Sequence, residues 1–550
     1  MIKRFTEVQG AVFQKSPLAA GGNVFLLISI LLFHLHLNSN PPIPSARAEQ
    51  LKKLLSVSID NCLKNKIYRN VDIGIQVSAI DGQQTFYRRN ENKAYIPASA
   101  IKVFISAISL IKFGPGYQFE TPIMSDGSLS NGILKDNLYL QGRGDPSLLY
   151  RHLEAAAKQL KLLGINIIEG NVVYDTAFLE EVPPRYPPNA RHFYSPPGAL
   201  TVNYNWIELE LQEGPPPKLK TIPPTAYARL DYKIRISRSQ NPGRPTMTYQ
   251  EMPWGDQYTI RGTVTEWDKK YKYLCLCVSR PGLFSATLLR EACEKAGINV
   301  KGEICKGKTP ENAHLLYAIK TPPLKEVVTN LNRESNNVVA ELLNEDLGAY
   351  FDSVPGTQKK GLDMIRNFIV NKLKFPGNSF GFADACGLSL ENFISADQFT
   401  QALNYFYREI GMMFVETLAR QGIDAHAMNP VPPEGMRIFC KSGTLSGSGV
   451  NTLVGYIFID RTGEAFSFAI LCNRRGKGSG ALTYSGTYTN ALLSAILRAI
   501  EQKPAHEFSR INTNLKNIYP QISQINTDFL INQNWTGHHD TMTPKETAHQ

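Results

Sequence analysis

Three short motifs constrain this chain more than any other feature. They are Ser99-Ala100-Ile101-Lys102, Ser335-Asn336-Asn337 and Lys441-Ser442-Gly443, in that order along 550 residues. Together they match a serine–lysine template: S-x-x-K, then S-x-N, then K-[ST]-G. To act in one reaction, positions 99, 335 and 441 must meet in space although they lie 236 and 106 residues apart. The chain before the first gap and the chain after it then belong to one domain, and the gap holds an insertion.

The side chains in these motifs supply what a serine hydrolase needs: a hydroxyl, a base to take its proton, and donors for an oxyanion. Of the other common templates, H-E-x-x-H does not occur. S-x-x-K itself occurs twice, at Ser99 and again as Ser109-Leu110-Ile111-Lys112. Position separates the two. Ser99 follows Pro97-Ala98 and opens an apolar run read as a helix over 100–113, ended by Gly114-Pro115-Gly116. Serine and lysine three apart on a helix share a face. A helix N-terminus also disfavours an ammonium and lowers the pKa of Lys102. Lys112 lies at the other end and reads as a helix-end charge.

S-x-N also occurs twice. Ser239-Gln240-Asn241 runs into Pro242-Gly243 and reads as a turn, whereas Ser335 opens a helical segment. Its hydroxyl can relay a proton, and the Asn337 amide can bind a peptide backbone. Lys441-Ser442-Gly443 occurs once, after a strand-like run, with Thr444 following. Lys441 can attract a carboxylate and adds positive charge near Lys102. Gly443 leaves room for an extended substrate beside the strand.

The texture between the motifs fits an insertion. A strand is predicted over 72–80 with a hairpin turn at Asp81-Gly82. From about 117 to 315, short alternating stretches recur between turns, with few helices such as 285–296. Helices then return at 336–346 and 361–373, followed by strands at 453–459 and 465–472 and a helix over 487–501. The tail from 505 is polar and without period, and His538-His539-Asp540 within it reads as solvated.

With these motifs and spacings, the chain resembles the penicillin-binding D-Ala-D-Ala carboxypeptidases of the peptidase S13 type. Gly142-Arg143-Gly144-Asp145-Pro146 is similar to that group's G-x-G-D-P, and Pro196-Pro197-Gly198-Ala199-Leu200 also matches. Asp384-Ala385-Cys386-Gly387-Leu388-Ser389 resembles its D-G-S-G-L-S segment but departs at Ala385 and Cys386. The resemblance implies an α/β (α+β) serine–lysine, transpeptidase-like domain, split as 49–116 and 316–504, around a β-rich insertion over 117–315. It implies D-Ala-D-Ala carboxypeptidase and D,D-endopeptidase activity on peptidoglycan stem peptides, with β-lactams as covalent inhibitors. Ser99, Lys102 and Ser335 would be catalytic. Asn337, Lys441, Ser442, Gly443 and Thr444 would bind substrate, with backbone N–H groups of Ser99 and Thr444 holding the oxyanion. No cofactor or metal is implied. A β-lactamase and a catalytically idle wall-binding or penicillin-sensing protein are the competing readings.

Export fits the same picture. Lys3, Arg4 and Lys15 precede the apolar run 24–33, and Ala46-Arg47-Ala48 reads as a cleavage site, making 1–48 a signal peptide. An uncleaved anchor is the alternative, and both place the rest outside the cytoplasm, in a periplasm or its equivalent. The net charge of +11 suits peripheral association with an acidic wall polymer or a membrane surface. No basic run interleaved with aromatics points to nucleic acid. The 8 cysteines are too few for a disulfide scaffold and mostly sit in apolar runs, as buried small hydrophobes do.

Overall fold

A computed structural model describes residues 43–182, 195–475 and 486–502, except 213, 242, 244, 267, 269–273, 425 and 426. The apolar run 24–33, residues 476–485 and the residues from 503 lie outside the described residues. Among those described, no helix is long and apolar enough to cross a membrane.

Chain segments from the two ends of the sequence build one antiparallel sheet. Its strands are β1 (Val71–Ala79), β2 (Thr85–Arg89), β3 (Ala419–Arg420), β4 (Met436–Leu445), β5 (Val450–Ile459) and β6 (Ala465–Arg474), in the spatial order β2-β1-β6-β5-β4-β3. The pairing of β1 with β6 joins the two ends in register from Val71 opposite Arg474 to Ala79 opposite Phe466. Alternation by two residues sends the strand side chains to opposite faces. Phe466, Phe468 and Ile470 pack on one side against α1 (Ser45–Leu63) and α5 (Thr487–Glu501), with Leu51, Leu55, Leu492 and Ile496. Ala469, Leu471, Val454 and Tyr456 face the other core, formed with α2 (Lys102–Phe113), α3 (Asn337–Phe351) and α4 (Ala396–Ile410). Both faces are covered, which is why β5 is buried along its whole length and reads as a near-continuous apolar run.

The intervening chain forms separate sheets around its own core, which includes Leu140, Leu153, Tyr258, Leu276 and Phe284. It leaves through Glu120–Ser125 and returns through His314–Lys320, and these two strands pair side by side. Exit and return are therefore adjacent, and the insertion closes without parting the sheet that holds the motifs. The return strand runs beyond the expected limit at 315. A helix over Tyr150–Leu162 was not expected. Its buried face, Leu153, Ala156, Ala157 and Leu160, rests on alanines that do little to mark a helix in a strand-rich background.

At the N-terminal end of the described residues, Ala46-Arg47-Ala48 lies in the first turn of α1, and Ile43 and Ala48 are buried. Arg47 donates from Nε to Glu464 Oε1 at 3.2 Å and from Nη2 to the Ile500 carbonyl at 2.8 Å. A cation closing over the last carbonyls of α5 is favourable there. The packed body thus begins ahead of residue 49.

Six of the eight cysteines are buried.

Candidate active site

Ser99 lies where the chain turns into α2. The preceding segment is clamped to β6 by Asn473, whose Oδ1 accepts from Ile96 N at 2.7 Å and whose Nδ2 donates to Ile96 O at 3.1 Å. Ala98 then takes φ +48°, a conformation that costs a non-glycine residue of order 1–3 kcal/mol and is concentrated at functional sites. Residues Ala98–Ile101 form a 3-10 turn, and the α-helix proper starts only at Lys102. This turn lies ahead of the α-helix, which starts two residues after the expected residue 100. It also strengthens the pairing, because side chains three apart eclipse in a 3-10 turn.

Lys102 is fully buried, and its Nζ lies 2.9 Å from Ser99 Oγ, 2.8 Å from Asn337 Oδ1 and 2.5 Å from the Cys386 carbonyl. The last two can only accept. In a neutral amine they take its two hydrogens and leave the lone pair for the Ser99 hydroxyl. Burial favours that neutral form and lowers the Lys102 pKa from its usual value, against the nearby Cys386, Asp384 and Glu341, which raise it.

The second motif is a corner between two helices. Leu324–Glu334 ends at Ser335, which takes φ +57°, and Asn336 caps α3 by accepting from Val338 N and Val339 N at 3.0 and 3.3 Å. The middle residue of S-x-N is thus the cap, while its neighbours carry the site: Asn337 reaches Lys102 and Ser335 Oγ accepts from Lys441 Nζ at 2.9 Å. Lys441 also donates to the Ser442 carbonyl at 2.9 Å. On β4, Gly443 sits against the serine turn. A Cβ there would lie 2.5 Å from Pro97 O and 3.0 Å from Ser99 N, so only glycine lets the strand approach the nucleophile. Thr444 follows on the same strand, opposite Asn451 of β5.

The second copies of the motifs are elsewhere. Ser109 is wholly buried in α2, and Lys112 Nζ stands over the Phe351 ring at 5.3 Å. Ser239 and Asn241 form an exposed bend.

Burial, followed by the charge of Lys102, lowers the pKa of Lys441 to about 7. An unfolded Lys441 keeps its proton to near 10.5, so between these values unfolding takes up a proton and stability rises with pH. Below pH 7 the full cost of the buried charge is present. Lys441→Met should therefore melt above the wild type at pH 6, and the gap should narrow as pH rises toward 10. Calorimetric melting curves of both proteins across that range check this, and a gap independent of pH would contradict it.

The matched segment Asp384–Ser389 forms a turn that completes the site. Asp384 accepts from Gly387 N and Ser389 N, both at 2.7 Å, and from Asn392 Nδ2 at 2.8 Å. Gly387 takes φ +87° with the Ala98 carbonyl 2.2 Å from where a Cβ would stand. Glu341 on α3 accepts from Ala385 N at 3.0 Å and Cys386 N at 2.9 Å. Glu341, Asp384 and Cys386 have potential ligand atoms within 4.8 Å of one another. Their carboxylates are occupied by the turn's own N–H groups, and burial pushes the Cys386 thiol well above its usual pKa. That donor set suits a braced turn better than a metal ion. The other two matched segments meet in the insertion, where Gly144 N donates to Ala199 O at 3.0 Å and Asp145 Oδ1 accepts from Thr321 Oγ1 at 3.0 Å.

Fold and site together define a penicillin-binding, serine-peptidase architecture with a large insertion. The model of the D-Ala-D-Ala carboxypeptidase 3 (S13) family matches residues 55–483, and the chain belongs to that family. D-alanyl-D-alanine carboxypeptidase DacB of Haemophilus influenzae is 23% identical over 428 residues, covering 76% of this chain and 88% of that protein. A D-alanyl-D-alanine carboxypeptidase of Actinomadura sp. is 24% identical over 450 residues, covering 76% and 81%. The crystal structure of penicillin-binding protein 4 from Haemophilus influenzae superposes with a TM-score of 0.66 at 21% identity, covering 81% of this chain and 99% of that one. A structure of that protein complexed with a novel β-lactam gives 0.64.

Proposed function

We propose that this chain is an exported serine-type D-Ala-D-Ala carboxypeptidase that also cuts D,D cross-links in peptidoglycan, and that β-lactams acylate it. The observation that carries this reading is the convergence of Ser99, Lys102 and Asn337 in one hydrogen-bonded group beside Ser335 and Lys441. Lys102, as the free amine, takes the Ser99 proton while Oγ attacks the penultimate D-Ala carbonyl. Backbone N–H groups of Ser99 and Thr444 hold the oxyanion, and Lys441 draws in the substrate carboxylate. The peptide C–N bond breaks as Ser335 passes a proton to the departing amine. Water then cleaves the ester, returning free Ser99. A cross-link presents the same bond with a different leaving amine. Burial helps keep Lys102 neutral.

Incubation with a wall pentapeptide should release D-alanine, and a cross-linked dimer should yield monomers, both followed by chromatography. Penicillin hydrolysed in rapid turnover would make the chain a β-lactamase. A stable penicillin adduct with no peptide cleavage would make it a sensor. Detection of the protein in an extracytoplasmic fraction tests export.

A further inference from the structure

We infer that Glu341 is a positioning residue of this reaction: from α3 it fixes the Cys386 carbonyl that, with Asn337, aims the Lys102 amine at Ser99. The inference rests on the serine–lysine reading above and assigns a part to a residue outside the three motifs.

The argument is one of valence. A neutral Lys102 amine has two hydrogens and one lone pair. It is a base toward Ser99 only if both hydrogens are directed elsewhere. Asn337 Oδ1 takes one at 2.8 Å and the Cys386 carbonyl the other at 2.5 Å. Asn337 is held by its place at the start of α3. The Cys386 carbonyl belongs to a turn, and a turn without support would let it rotate away. Asp384 secures the far half of that turn through Gly387 N and Ser389 N. The near half, Ala385 N and Cys386 N, is held by Glu341 Oε1 alone among the described residues. Glu341 lies four residues after Asn337, so both stand on one face of α3. One helix thereby directs both acceptors, one with a side chain and one through the turn. The Cys386 carbonyl also lies 3.2 Å from Ser99 Oγ, so a displaced carbonyl would disturb nucleophile and base together.

The test is the rate of acylation of the full-length protein by a fluorescent penicillin between pH 5 and 10. Glu341→Gln retains an oxygen that can accept from both N–H groups but loses the charge. Glu341→Asp retains the charge but withdraws the oxygen by about one bond, about 1.5 Å. Loss of a partner that orients a catalytic group typically costs roughly 10–100-fold. Glu341→Asp and Glu341→Ala should lose that much, and Glu341→Gln should recover most of it. Lys102 is faced by Asp384 and Cys386 from the turn, by Glu341 from α3 and by Lys441 from β4. In Glu341→Ala its ammonium loses a carbonyl acceptor and a carboxylate neighbour, so the acid limb of the profile should move to lower pH. A role in folding alone would lower the melting temperature and leave that limb in place. Glu341→Asp equalling or exceeding Glu341→Gln would overturn the inference, as would an unmoved limb in Glu341→Ala. If Glu341→Ala does not fold, the Asp and Gln variants decide. A wild type that takes no label would sink the serine–lysine reading itself, whereas a labelled wild type with unaffected variants sinks only the role of Glu341.

Discussion

Treated with a penicillin, the intact protein should gain the mass of one drug molecule. Ser99→Ala should gain none, and Ser109→Ala should gain one as readily as the wild type. The two serines head identical S-x-x-K patterns ten residues apart in the same segment, so the experiment isolates what their surroundings do. Ser99 Oγ has a buried amine at 2.9 Å whose hydrogens are claimed by two other acceptors. Ser109 is fully buried, its Oγ has no hydrogen-bond partner among the described residues, and the lysine three residues on stacks over Phe351 instead. Peptide cleavage by Ser99→Ala should fall on the order of a millionfold, as it does when other serine hydrolases lose their nucleophile. Lys102→Ala should fall comparably, because nucleophile and base act as a unit and their losses do not add. An adduct that persists in Ser99→Ala, located by peptide mapping at another residue, would remove the nucleophile assignment.

Lys441→Ala should weaken cleavage of peptides ending in a free D-alanine carboxylate about 10- to 100-fold, mostly through KM. A hydrogen bond to a charged group contributes about 1.5–3 kcal/mol, and about 1.4 kcal/mol is tenfold. The decisive comparison uses the same peptide with an amidated C-terminus. On the wild type, amidation should cost about what Lys441→Ala costs. On Lys441→Ala it should cost little more, because the two changes remove one interaction. The pH dependence follows from the lowered pKa of Lys441, near 7. Above that value the free enzyme loses the attracting charge, so KM for the carboxylate peptide should rise with pH while KM for the amide stays level. Losses that simply multiply would show that Lys441 acts elsewhere, for instance on the proton of Ser335, from which it stands 2.9 Å.

Much of the framework is legible along the chain. Strands β1, β5 and β6 alternate or run apolar and are bounded by turns, and the helix over 487–501 appears in the structure with those limits. The helix Tyr150–Leu162 was missed because its buried side chains are largely alanine, which gives a weak periodic signal. The 3-10 turn at Ser99 was missed because nothing in Pro97-Ala98-Ser99 requires an alanine at positive φ; contacts with the turn at Gly387 and with Gly443 impose it. Glu341 and Cys386 carry no catalytic signature, since one acts through its carboxylate on backbone N–H groups and the other through its carbonyl.

The neighbouring residues select Ser335, which opens a helical segment, over Ser239, which runs into Pro242-Gly243, and helix position selects Ser99 over Ser109. Those choices are local or sequential, and residue type, spacing and neighbours suffice for them. Whether Lys102 has its lone pair aimed at Ser99 is not a local property. It depends on an oxygen from α3 and a carbonyl from a turn near residue 386, brought to one nitrogen only when α2, α3 and the sheet are packed. A sequence pattern names side chains that can react. The directions of their hydrogens and lone pairs are set by a side-chain oxygen and a backbone carbonyl more than two hundred residues away, and only the folded chain brings those together.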